Sequence, residues 1–168
     1  MFNLISVDPI TVEVLSNAFM SIAEEMGGIL VRTAYSTNIK ERKDCSCAIF
    51  NAKGETIAQA EHIPVHLGSM LGLVKEITKK YKPEEIEPGD MFVANDPYNG
   101  GGTHLPDITI AAPIFHEGEI VAFVANIAHH SDIGGRVPGR TPSTRAVSRL
   151  LPQITQIRRI AVSTSRRR

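Results

Sequence analysis

Residues 107–130, DITIAAPIFHEGEIVAFVANIAHH, decide the fold. Two apolar runs, DITIAAPIF and EIVAFVANIAHH, flank His116-Glu117-Gly118-Glu119. Apolar runs of this length around a glycine turn predict a β-hairpin, although Glu-Gly is a weaker turn signal than Asn-Gly. With Glu117 and Gly118 as the turn, His116 faces Glu119, and opposed residues carry numbers that sum to 235. Asp107 then falls opposite Ala128, and Pro106 opposite His129. Opposed Cβ atoms in an antiparallel pair lie about 4.5–5.5 Å apart. The hairpin therefore predicts that His104, Asp107 and the His129-His130 pair converge.

Outward from Asp107 runs MFVANDPYNGGGTHLP, residues 91–106. It reads as a strand, Met91–Ala94, then a turn holding Gly100, Gly101 and Gly102, then His104. Glycine lets the backbone approach a ligand closely, so these three are candidate cofactor-binding positions. Two imidazoles and a carboxylate that leave coordination positions open are a usual set for a catalytic divalent metal. The competing reading is a histidine pair that merely hydrogen-bonds a buried carboxylate. The pleat does not choose between His129 and His130, because Pro106 and the glycines break strict alternation. Beyond the histidines, SDIGGR is a second glycine-bearing loop. Asp132 is a candidate to orient a ligand histidine, and Arg136 to clamp a carboxylate or phosphate.

Upstream, Asp8 and Pro9 form a helix start, N-cap then N1. Ile10, Val14, Ala18, Phe19, Ile22, Met26, Ile29 and Leu30 follow at helical spacing, and Gly27-Gly28 predicts a weakening or kink. Tyr35–Asp44 is polar and reads as a surface loop. Cys45–Asn51 and Glu55–Ala60 flank Ala52-Lys53-Gly54 as a second hairpin. Pro64 separates His62 from His66 and begins a second helix, from Val65 to about Tyr81. His66 reaches the site from the first turn of that helix. Asp96, before Pro97, reads as an acceptor for loop N–H groups.

Three segments carry a likeness: NDPYNGGGTHLPDITI, ERKDCSCAIFNAKGETIAQAEHIPVHLGSM and NIAHHSDIGGRVPG. Together they resemble the hydantoinase B/5-oxoprolinase family, over about Asp8 to Gly139. The resemblance implies ATP-dependent opening of a cyclic amide such as 5-oxoproline or a hydantoin, or carboxylation of a ketone in the acetone carboxylase branch. It implies an A-type partner that handles ATP and phosphorylates the substrate, with the B-type part completing the reaction. It also implies a metal of manganese, zinc or iron type held by His104, Asp107 and His129, which settles the choice against His130. Residues 140–168 depart from the family pattern. They read as an Arg-rich tail, disordered or a non-native end, which favours a second possibility: an assembly or binding fragment, inactive alone.

The formal net charge is zero. It conceals a split: residues 1–135 hold 9 Lys/Arg against 18 Asp/Glu, and residues 136–168 hold 9 Arg and no acid. No aromatic residue interleaves with those arginines, so no nucleic-acid partner is expected. Hydrophobic content of 42% and charged content of 21% are ordinary for a globular domain. The two cysteines, Cys45 and Cys47, are too few for a zinc site and read as buried thiols in a reducing cytoplasm. No membrane span, signal peptide or phosphate-binding G-x-x-x-x-G-K-[ST] motif is read in the chain. The expected fold is α+β: two N-terminal amphipathic helices with a mainly antiparallel or mixed sheet that carries the site on Gly-rich loops.

Overall fold

The computed structural model describes residues 8–60, 65–98, 102–131 and 158–161. The elements run α1 (Pro9–Thr33), α2 (Thr37–Lys40), β1 (Cys45–Asn51), β2 (Thr56–Ala60), α3 (Val65–Lys80), a 3-10 turn (Pro83–Glu85), β3 (Asp90–Ala94), β4 (Asp107–His116), β5 (Glu119–His129) and β6 (Arg158–Ala161). The fold is α+β, as expected. The strands form one sheet in the order β2-β1-β5-β4-β3-β6, and each neighbouring pair is antiparallel. The sixth strand comes from the Arg-rich segment.

The helices cover opposite faces. Helix α3 lies on one, where Met70, Leu73, Val74 and Ile77 meet Phe50, Phe92, Phe123 and Ile127 in the main core. Burying each such side chain is worth about 1.5–3 kcal/mol. Helix α1 lies on the other face, against β1 and β2. Asp8 caps it, accepting from Thr11 N at 3.1 Å, and Pro9 opens it. The predicted kink is absent: the helix runs through Gly27-Gly28 to Thr33. Ala23 and Gly27 are its buried residues, so small side chains at the contact let the helix approach the strands. Only part of the predicted apolar face is packed. Phe19, Leu30 and Val31 pack inward, whereas Ile10, Val14, Ile22 and Ile29 are exposed. By length and hydropathy α1 could cross a bilayer, but Ala23, wholly buried, seats it on the sheet. The polar loop 35–44 is not all loop, since it contains the single turn α2.

Glu117 and Gly118 both take positive φ, 50° and 87°, as a type I′ hairpin turn requires. The register differs from the simple count. His116 faces Glu119 and Phe115 faces Ile120, but Ile114 faces Ala122. A β-bulge leaves Val121 as the extra residue, 45% exposed. Beyond it Asp107 faces His129, not Ala128, and Ile108 faces Ala128. One extra residue on one strand shifts every later partner by one.

Cys45 and Cys47 are free, buried and on one face of β1, as residues two apart in a strand must be. Burial, then the Asp44 charge, pushes the Cys45 thiol up to about 11. Burial, then Cys45, pushes Cys47 up to about 12. Both therefore stay protonated near neutrality.

Candidate metal centre

The site sits on strand ends more than on a glycine loop. Asp107 is the first residue of β4, His129 is the last of β5, and only His104 lies in the preceding turn. Alternation puts Asp107, Thr109, His129 and Ile127 on the α3 face of the sheet. Asp107 is fully buried and binds both imidazoles. His129 Nδ1 donates to one carboxylate oxygen at 2.8 Å, and His104 Nδ1 lies 2.9 Å from the other, an ion pair when that ring is protonated. The two rings meet edge to face, with centroids 4.7 Å apart. One donor atom from each of the three side chains lies within 4.8 Å of the others.

The turn before β4 is built around that carboxylate. Thr103 N, Thr103 Oγ1 and His104 N all donate to Asp107 Oδ2. Burial raises the Asp107 pKa, but the Thr103 hydroxyl, His129 and the Thr103 N–H outweigh it, and the carboxyl is held below its ordinary 3.8. The anion is thus stabilised in the interior by donors alone. Gly102 makes this possible. A Cβ there would stand 2.8 Å from Asp107 Cβ and 2.9 Å from Asp107 O. Asn95, itself buried, ties the same turn to β3 by donating from Nδ2 to Leu105 O at 2.9 Å. Asp96 accepts from Tyr98 N at 2.9 Å, the structural role read from the sequence.

A second pair stands on the same face. Asp44 precedes β1, and its carbonyl accepts from His129 N at 2.9 Å. Its carboxylate lies 3.5 Å from His66 Nε2, and His66 Nδ1 lies 3.4 Å from Ser46 Oγ. His66 is buried in the first turn of α3, and its pKa is lowered, chiefly by burial, against the pull of Asp107 and Asp44. Sequence reasoning had His66 reaching the site but missed Ser46 and Thr103. Neither has a sequence signal, because their roles depend on strand register and on a turn closing over its own aspartate. Gly100, Gly101, Asp132, Arg136 and His62 lie outside the described residues. His130 points away from the three donors, onto the α1 face, where its backbone N–H bonds Pro106 O at 3.0 Å.

The donor set fits a divalent ion. A metal about 2.0–2.2 Å from each donor sets its ligand atoms roughly 3–4.4 Å apart, so the group within 4.8 Å needs only a small closure and the loss of the proton that His129 Nδ1 shares with Asp107. Two imidazoles and one carboxylate suit manganese, iron or zinc alike.

Comparison with known proteins agrees with this architecture. Residues 8–148 match the family described as hydantoinase B/oxoprolinase, a match that runs past Gly139. An uncharacterized protein of Methanocaldococcus jannaschii is 57% identical over 138 residues, 81% of this chain and 24% of that protein. The 5-oxoprolinase of Saccharomyces cerevisiae is 48% identical over 139 residues, 82% of this chain and 11% of that protein. The chain thus spans between about a tenth and a quarter of the curated relatives it matches. Among solved structures, an ATP-dependent caprolactamase from Pseudomonas jessenii superposes with a TM-score of 0.69 at 34% identity, over 79% of this chain and 23% of that one. A nucleotide-free acetone carboxylase superposes with a TM-score of 0.73 at 24% identity, over 83% of this chain and 18% of that one, which speaks to the fold alone. With the matched segment covering most of its length, the chain belongs to the hydantoinase B/oxoprolinase family.

Proposed function

We propose that this chain is the N-terminal part of a B-type subunit of an ATP-dependent cyclic-amide hydrolase. The subunit completes the opening of a 5-oxoproline- or hydantoin-like ring in the cytoplasm. An A-type partner spends ATP to phosphorylate the substrate. The names of the relatives, 5-oxoprolinases and a caprolactamase, support the substrate class. The observation that carries the reading is the convergence of His104, Asp107 and His129 within 4.8 Å. These three would hold a divalent metal, whose chemistry when bound is Lewis acidity toward a carbonyl or phosphoryl oxygen. Thr103 keeps the Asp107 carboxylate charged and aimed. His129 is fixed by its backbone bond to Asp44. His66, held between Asp44 and Ser46, is the proton-handling candidate beside the ligands. Arg136 and Asp132 are the proposed anion clamp and orienting carboxylate, and Gly100, Gly101 and Gly102 the proposed path for substrate.

A second reading has one observation in its favour. The chain matches about a tenth to a quarter of its relatives' length, and the second reading is an assembly or binding piece rather than a catalyst. An acetone carboxylase alpha-like role, with a ketone substrate, is the alternative chemistry on the same fold.

The test is a thermal titration of the full chain with Mn²⁺, Zn²⁺ and Fe²⁺. Binding at a hundred times Kd adds about 2.7 kcal/mol of stability. A metal-dependent rise in Tm that His104→Ala abolishes supports the site. No rise with any of the three ions, or an undiminished rise in His104→Ala, removes it. His104 is half-exposed, so its loss costs the fold little.

A further inference from the structure

Strand β4 is more apolar on its bare side than on its covered side. Toward α3 it turns Asp107, Thr109, Ala111 and Pro113, all buried. Toward the α1 side it turns Ile108, Ile110, Ala112 and Ile114, the first three half-buried and the last 42% exposed. An antiparallel sheet with one solvated face carries polar residues there. Neither helix on that side covers β4: α1 packs on β1 and β2, and α2 touches the end of β5. The result is a trough, with the β4–β5 face as its floor and the flank of α1 as one wall.

That wall is apolar as well. Leu15, Ile22 and Ile29 repeat every seven residues, which stacks them along one flank of the helix, and all three are 46–49% exposed. Thr33, four residues on from Ile29, lines the space above Ile108 and Ile110, so this flank faces β4. Ile10 and Val14, 72% and 61% exposed, carry the apolar surface over the top of the helix. A helix that is apolar around most of its circumference belongs in an interior. With Ile114, these six side chains leave on the order of 600 Å² uncovered, at the upper end for the largest patch on a monomer and near the ~800 Å² that each partner brings to a standard interface.

We infer that this face closes on a second copy of the chain, with the α1 of each copy seated in the trough of the other. The face carries its own complement, a ridge beside a trough, which is what a two-fold interface requires. The lengths match, since the 25 residues of α1 span about 37 Å and the 10 residues of β4 about 34 Å. Helix α1 also runs along the strands, with Phe19 packed on Val124 and Leu30 on the cluster that holds Ala128. With the two-fold axis at Ile22, the helices pair antiparallel, and Leu15 of each copy meets Ile29 of the other. Arg32 then comes level with the hairpin tip of the other copy, where Glu117 and Glu119 are exposed, so the charges are complementary too. The interface lies on the opposite side of the sheet from the metal centre and does not rest on the function proposed above.

The experiment is analytical sedimentation of the full chain at about 50 µM, above the micromolar Kd at the weak end for interfaces of standard size. A dimer is expected. Ile22→Glu sets two carboxylates face to face at the axis and should weaken association by about a hundredfold or more. Ile57→Glu, similarly exposed but on β2 beside Met20, should stay dimeric. Oxidative cross-linking with copper phenanthroline gives a readout free of added charge, because the native cysteines are buried. Ile22→Cys should form a disulfide-linked dimer. Ile10→Cys, more exposed but about 36 Å from its counterpart in this pairing, should not. A monomeric parent chain overturns the proposal: one that binds phosphatidylcholine vesicles gives the face to a bilayer, and one that does not gives it to the remaining length of a family chain. A dimer undiminished by Ile22→Glu, a dimer lost in Ile57→Glu, or equal cross-linking of the two cysteine variants overturns it as well.

Discussion

Asp107 is a carboxylate with no exposed surface, surrounded by donors. A buried anion of this kind persists only where its oxygens are fully paired. Its environment depends on a residue that makes no polar contact. Gly102 leaves the volume through which the turn closes, and a methyl group there meets backbone, which cannot step aside. Gly102→Ala is expected to cost about 1–3 kcal/mol, as overpacking does, and to lower Tm by several degrees. It should also weaken the metal-dependent rise in Tm, because Thr103 and His104 are displaced together. A variant with parental Tm and parental metal response would refute this account. The sequence shows a glycine run but not which glycine matters. That depends on the distance between residues five apart, set by the turn.

At the scale of the element, the hairpin was legible and its register was not. The Glu-Gly turn, the two strands and the convergence of Asp107 with the His129-His130 pair follow from the pattern, whereas the choice of His129 came only with the family resemblance. The bulge does not, because Ile120, Val121, Ala122, Phe123 and Val124 are all apolar. A strand covered on both faces loses the alternation that would reveal a slip. The helix of 25 residues was legible from its cap and spacing. Its packing face was not, since Ala23 and Gly27 are small rather than strongly apolar. The bulge allows a comparison of two deletions. Removing Val121 leaves a regular ladder, with Asp107 still facing His129. Removing Ala125 slides the far half of β5 by one and brings His130 opposite Asp107. The Val121 deletion is expected to keep the metal-dependent Tm rise and the Ala125 deletion to lose it. Loss in both would mean that the register is set elsewhere.

For the whole molecule, buried imidazoles set the response to acid. His66 and His130 both have pKa values lowered below the ordinary 6.5, chiefly by burial. The unfolded chain therefore takes up protons near pH 6.5 that the folded chain refuses. Stability is complete above that pH and declines as pH falls below it. Asp107 adds a second loss only below its ordinary 3.8, since its folded pKa is lower still. In a metal-free buffer, Tm should fall between pH 7.5 and pH 5.5 by more in the parent than in His66→Gln. Equal slopes would show that His66 titrates as it does in water.

Strand β5 has one more consequence. Its odd-numbered residues beyond the bulge, Phe123 to His129, serve the metal-centre side, and its even-numbered residues, Asn126 to His130, serve the α1 side. The strand is a party wall, with its two inventories sorted by parity. Point substitutions can therefore remodel either side while leaving the furniture of the other in place. A lone insertion or deletion past residue 122 would swap the two sets wholesale. Such a wall invites evolution, and protein engineers, to work by exchange of letters rather than by change of length.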